Sequence, residues 1–163
     1  MSENNVSEVT NSTSEIIDTS EVNNTEQLRT WFRTCPTILA GNRFRVDYVA
    51  EKPTEYAIYA VPSALRYHEN ILGEEVPDDI QTQNFIFASK EHYGADIQQN
   101  LANLGFHQAV VKWILDQNAL RNFPEWDGGT IKSIVPTLTG YPAQVGTDTA
   151  KYQIQLKITY RRE

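Results

Sequence analysis

The stretch Lys151-Tyr152-Gln153-Ile154-Gln155-Leu156-Lys157-Ile158-Thr159-Tyr160-Arg161 alternates without a break. Tyr152, Ile154, Leu156, Ile158 and Tyr160 fall on one side, and Lys151, Gln153, Gln155, Lys157, Thr159 and Arg161 on the other. Side chains of a strand point alternately to opposite faces, so this spacing predicts a long strand with one face on a core and the other on water or a partner protein. The polar face carries positive charge and no negative charge. Such a strand also offers a long, flat surface for assembly.

Working back from it, Thr130 to Leu138 reads as the preceding strand, with a Gly/Pro turn region from Gly140 to Thr149 between the two. Phe123-Pro124 and Asp127-Gly128-Gly129 mark a loop. Asp96 to about Leu120 is helical in pattern but changes phase. Ile97, Leu101 and Leu104 share one stripe that Gln108 interrupts, while Phe106, Val110, Trp113, Ile114 and Gln117 begin another. The phase change predicts two helices, with Gly105 ending the first. Asn84 to Ser89 reads as a strand, and Pro62 to Gln81 as a long connection with an acidic tip at Glu74, Glu75, Asp78 and Asp79. Arg43 to Tyr48 and Tyr56 to Val61 read as a hairpin, and Leu28, Trp31 and Phe32 as the buried face of a short helix capped by Thr25 and stopped before Pro36. The order α, β, β, β, α, α, β, β predicts an α+β domain, a largely antiparallel sheet with helices on one face.

Residues 1–24 read as a disordered acidic arm and 25–163 as one domain. The arm is Ser, Asn, Thr and Glu with isolated Val and Ile, too polar to offset the entropy of ordering it unless Ile16-Ile17 anchors it on a neighbouring subunit. It holds five acids and no Lys or Arg. The formal charge of -7 therefore leaves 16 acids against 14 bases, or -2, on the rest. That excludes the basic stripe that displaces counterions from nucleic acid, and sequence-specific binding to DNA is not expected.

The single Cys35 excludes an intramolecular disulfide, and three scattered histidines give no metal-ligand spacing. No signal-peptide pattern and no membrane-spanning apolar run is present, so a cytoplasmic site of synthesis is expected and sequons at Asn5, Asn11 and Asn23 are read as chance. His68-Glu69 and Glu91-His92 each set a base beside an acid, but sequence neighbours point apart and no nucleophile motif surrounds them. Gly128-Gly129-Thr130-Ile131-Lys132-Ser133 lacks the spacing of a phosphate loop, and the 74–79 carboxylates lack the ligand alternation of a calcium loop. No catalytic residue, metal or cofactor is assigned. Trp31 and Trp113 read as core. Trp126, in a loop with Tyr141 near it, is either a protein-contact anchor or a residue folded back on the core.

Phe85-Ile86-Phe87-Ala88-Ser89-Lys90-Glu91-His92-Tyr93-Gly94, then Asp96, Gln99-Asn100-Leu101, Asn103, Gly105-Phe106, Trp113-Ile114 and Gln117-Asn118, resembles a family of small tailed-bacteriophage morphogenesis proteins. Ser133-Ile134, Gly140-Tyr141, Gly146, Asp148-Thr149-Ala150 and Tyr152-Gln153-Ile154-Gln155, closing at Tyr160 and Glu163, are similar to the same pattern, as are Leu28 to Pro36, Val46-Asp47-Tyr48, Tyr56-Ala57-Ile58 and Pro62. The likeness lapses over 66–84 and in the arm. Such proteins are called minor capsid, tail completion or tail terminator proteins. The resemblance implies a tail-terminator-like fold and a non-enzymatic role: a homo-oligomeric ring, usually of six copies, that caps the tail tube and joins it to a neck or head-completion protein. It implies a place in the virion at the tail–neck junction, after synthesis in the host bacterial cytoplasm, with no membrane partner. Another head–tail connector or a tail-tube protein is the alternative, and a small enzyme or ligand-binding domain the next. Expected contact residues are Arg66 and Tyr67 in the long connection, Trp126, Tyr141, and Lys151, Lys157 and Arg161 on the last strand.

Overall fold

A computed structural model of the chain describes residues 24–38, 42–46, 55–146 and 148–163. The elements are α1 (Asn24–Phe32), β1 (Phe44–Val46), β2 (Glu55–Val61), β3 (Tyr67–Glu69), β4 (Glu75–Pro77), β5 (Ile80–His92), α2 (Ile97–Leu120), β6 (Gly129–Val145) and β7 (Thr149–Arg162). Five strands form one sheet in the order β1-β2-β5-β7-β6, and β3 and β4 pair separately. The fold is α+β, as the alternation of patterns predicts.

The alternating strand is the centre of the sheet. β7 pairs antiparallel with β5 along thirteen residues, Ile80 beside Arg161 through His92 beside Thr149, and with β6 on its other side. Tyr152, Ile154, Leu156 and Ile158 are buried. They join Tyr56, Ile58, Phe85, Phe87, Ile131 and Ile134 in a core closed by Leu28, Trp31 and Phe32 of α1 and Val110 and Ile114 of α2. Both helices thus lie on one face. They touch through Trp31 and Trp113, ring centroids 4.6 Å apart, and Phe32 stacks on Phe87 at 5.0 Å. Burying large aromatic side chains in such offset and tilted pairs supplies much of the stability of a sheet this size.

Several expectations are corrected. Residues 43–46 and 56–61 do not form a hairpin: β1 runs parallel to β2, with Phe44 beside Tyr56 and Val46 beside Ile58. Alternation fixes which side chains face the core, not the direction in which a strand runs. The connection over 62–81 contains the β3–β4 hairpin. The region after Gly140 is strand, not turn, since β6 continues to Val145. Pro136 and Pro142 are tolerated there because β6 is an edge strand, and four register shifts absorb its irregularities.

Gly105 does not end a helix. α2 runs unbroken from an N-cap at Asp96, whose carboxylate accepts from the Gln98 and Gln99 N–H groups, to Arg121, which takes the left-handed conformation at φ 53°. Finally, α1 begins at Asn24 rather than after Thr25. The Asn24 amide Nδ2 donates to Asp127 O, and its Oδ1 accepts from Asp127 N at 2.7 Å. Asn24 therefore belongs to the domain. The rest of the arm expected over 1–24, with Ile16-Ile17, lies outside the described residues.

Candidate functional site

The face of α2 that meets the sheet is Asn103, His107, Val110, Ile114 and Gln117, all buried. Three of the five are polar, and two amide clamps hold the helix where a fully apolar stripe would otherwise do so. At its start, Asn103 Nδ2 donates to His92 O at 2.7 Å and Asn100 Nδ2 to Gly94 O at 2.8 Å. At its end, Asn118 Oδ1 accepts from Ile134 N at 2.8 Å while its Nδ2 donates to Ile134 O. The backbone of the edge strand is thereby pinned to the helix.

Between the clamps lies a buried polar cluster. His107, 1% exposed, shares a 2.8 Å hydrogen bond between Nε2 and the Ser89 hydroxyl, which is itself 0% exposed. Burial pushes His107 down to about 4. Burial also pushes Glu91 up to about 6, with a hydrogen bond from Ser89 pulling it back. This is not a catalytic triad, in which the carboxylate orients the histidine through the nitrogen that does not face the hydroxyl. Here the Ser89 hydroxyl meets His107 Nε2, and among the described residues no polar partner reaches His107 Nδ1. His68-Glu69 offers no site either, since His68 bonds instead to Asp78 through Nδ1 at 2.7 Å.

With its buried face part polar, α2 turns apolar residues outward. Ile97, Leu101, Leu104 and Leu115 are exposed, with Leu138 exposed on β6. Between α2 and β6 a groove of about 290 Å³ runs over Leu104, Val111 and Leu115, with Thr139 and Gly140 on the strand side and His107 in its floor. Gly140 is required here: a Cβ would sit 2.5 Å from His107 Cβ.

The second exposed apolar feature is the β3–β4 hairpin. Asn70 shapes its turn, with Oδ1 accepting from Leu72 N at 2.9 Å and Glu74 N at 3.0 Å, and Gly73 supplies φ 79°. Buried Gln81 holds its base, accepting from Arg66 N and donating to Arg66 O and Asp78 O. A turn locked at both ends therefore displays Ile71, 102% exposed, and Leu72, 75% exposed. Periodicity reveals neither feature. Reading the apolar stripe of α2 as its buried face hides the groove, and Ile71-Leu72 lies in a segment too short to show a period.

The expected contact residues divide. Of the two readings of Trp126 the second holds and its place among the contact residues is corrected: at 8% exposure it folds back on the core, its ring 5.6 Å from Tyr160 and 6.1 Å from Phe85. Arg66 and Tyr67 are exposed on the hairpin arm, with Arg66 3.8 Å from Asp78. Tyr141 lies half-buried on the outer sheet face, where its hydroxyl donates to Gln153 and accepts from Gln155. Lys151, on the same face, lies 4.5 Å from the Tyr59 ring centroid. It stands beside Lys90 on β5, and burial, then that like charge, lowers its pKa. Lys157 and Arg161 are exposed. Among the described residues no helix is long and apolar enough to cross a membrane, and no group of three or more His, Cys, Asp or Glu converges as a metal site.

No family model matches the chain. No curated protein matches it either. Among solved structures, one chain aligns with 85% of this chain and 90% of its own length, at 13% identity and a TM-score of 0.45, a likeness too slight to carry an argument.

Proposed function

We propose that this protein is a non-enzymatic, structural subunit of a tailed-bacteriophage particle that forms a ring, of six copies by the family pattern, on the head-proximal end of the tail tube and there receives the neck. The observation that carries this reading is where the domain keeps its polar and apolar groups. Its titratable cluster of Glu91, Ser89 and His107 is buried, while Ile71, Leu72, Leu101, Leu104, Leu115 and Leu138 are displayed on ordered elements. Large apolar groups on rigid surfaces are what a protein contact needs. The sequence resemblance, which runs from Leu28 to the last strand except over 66–84, supplies the kind of assembly. Termination is then steric. The subunit completes the last tube ring on one side and offers the other side a surface that neck proteins, and not tube subunits, can use.

Particle localisation tests the proposal. The protein, tagged for electron microscopy, is expected at the head-proximal end of the tail, and loss of its gene is expected to give tails of uncontrolled length that fail to join heads. A position elsewhere in the particle, open tubes assembled by the purified protein, or normal tails without it would each sink the terminator reading.

A further inference from the structure

We propose that the apolar tip Ile71-Leu72 of one copy of this protein docks into the groove between α2 and β6 of the next copy, and that this knob-and-groove contact links neighbouring subunits. The inference rests on the ring reading for its setting only, since the contact itself is argued from the subunit.

The two surfaces match in size. A cavity of about 150 Å³ holds benzene, six carbons, so a groove of about 290 Å³ takes the eight carbons of an Ile and a Leu side chain. They match in charge. Among the described residues Lys112 is the one Lys, Arg, Asp or Glu lining the groove, and the tip is flanked by exposed Glu69, Glu74 and Glu75. The tip is held rigid by the Asn70 and Gln81 bonds, which spares the docking step the entropy of ordering a loop. A tip fully exposed on the same chain as an open groove is not filling that groove. The hairpin leaves the sheet where Ile80 meets Arg161, whereas the groove lies near Leu138 and its neighbour Gln155. Those points are six residues, roughly 20 Å, apart along β7. A contact that joins different surfaces of two copies is head-to-tail, the kind that closes into a ring when the rotation per subunit permits.

Cysteine cross-linking of the purified full-length protein tests this. Leu72→Cys and Leu115→Cys are both at exposed positions, and native Cys35 is buried. The double variant, oxidised at the highest concentration that stays in solution, is expected to give an interchain disulfide ladder that neither single variant gives. No ladder, or the same ladder from either single variant, overturns the proposal. As a second arm, a tip variant (Ile71→Asp with Leu72→Asp) and a groove variant (Leu104→Asp with Leu115→Asp) are each expected to lose the oligomers that wild type forms, and to stop at dimers when mixed, because each retains one half of the contact. Wild-type assembly by either variant alone overturns the contact while leaving the ring reading intact. A ladder from a protein found away from tail ends does the reverse.

Discussion

Glu91 and His107 are both buried and respond to pH in opposite directions. His107, held down to about 4 against an ordinary 6.5, binds its proton more readily when unfolded. Its share of stability is complete above pH 6.5 and lost as the pH falls from 6.5 to 4, a loss of about 3 kcal/mol. Glu91, raised from 4.5 to about 6, does the reverse: its share is complete below 4.5 and lost as the pH rises through 6, about 2 kcal/mol. Between 4.5 and 6 the two slopes oppose. Glu91→Gln removes one of them, so denaturant titrations should show a gain of about 2 kcal/mol at about pH 8, none at about pH 4, and a steeper fall on acidification. A variant whose pH profile merely parallels wild type would show that the carboxylate is not desolvated. Gly140 is the other decisive residue of this region. With a Cβ only 2.5 Å from His107 Cβ, Gly140→Ala must push helix and strand apart, and about 1–3 kcal/mol of destabilisation is expected in the same titration.

α2 is the element where pattern and packing part company. A Cβ at Gly105 would meet nothing within 4 Å. Gly105→Ala is therefore expected to raise stability by about 0.5–1 kcal/mol, the gain from replacing glycine in an open helix interior. A loss instead would mean that residue 105 lies against another element. Trp126→Ala is expected to cost about 3–5 kcal/mol, the range for a buried aromatic, where a surface anchor would cost almost nothing. These contrasts mark what is legible in the sequence. Strict alternation from Lys151 to Arg161 identifies β7 and its buried face, because period two has one structural meaning. The phase of α2 misleads because amide clamps at Asn103 and Asn118, and His107 on Ser89, occupy its inward side, and periodicity counts only apolar residues. The direction of β1 and the extension of β6 past Gly140 are hidden for a related reason. Strand direction has no residue signature, and an edge strand accepts prolines that would break an inner one. The groove and the hairpin tip arise from tertiary placement, which no local pattern records.

At the scale of the whole molecule, the last strand in sequence lies inside the sheet, between β5 and β6. Among the described residues β5 and β6 have no direct ladder to one another, so neither has its inner neighbour until residues 149–162 exist. The five-stranded sheet is therefore expected to be completed late, because the ladders that close it are long in sequence separation and need residues 149–162. A chain stopped at residue 148 is expected to stay unfolded by circular dichroism, where a chain lacking only residues 1–23 is expected to melt as wild type does. A product that stops before residue 149 lacks the strand with which both β5 and β6 pair, and so presents no formed groove between α2 and β6.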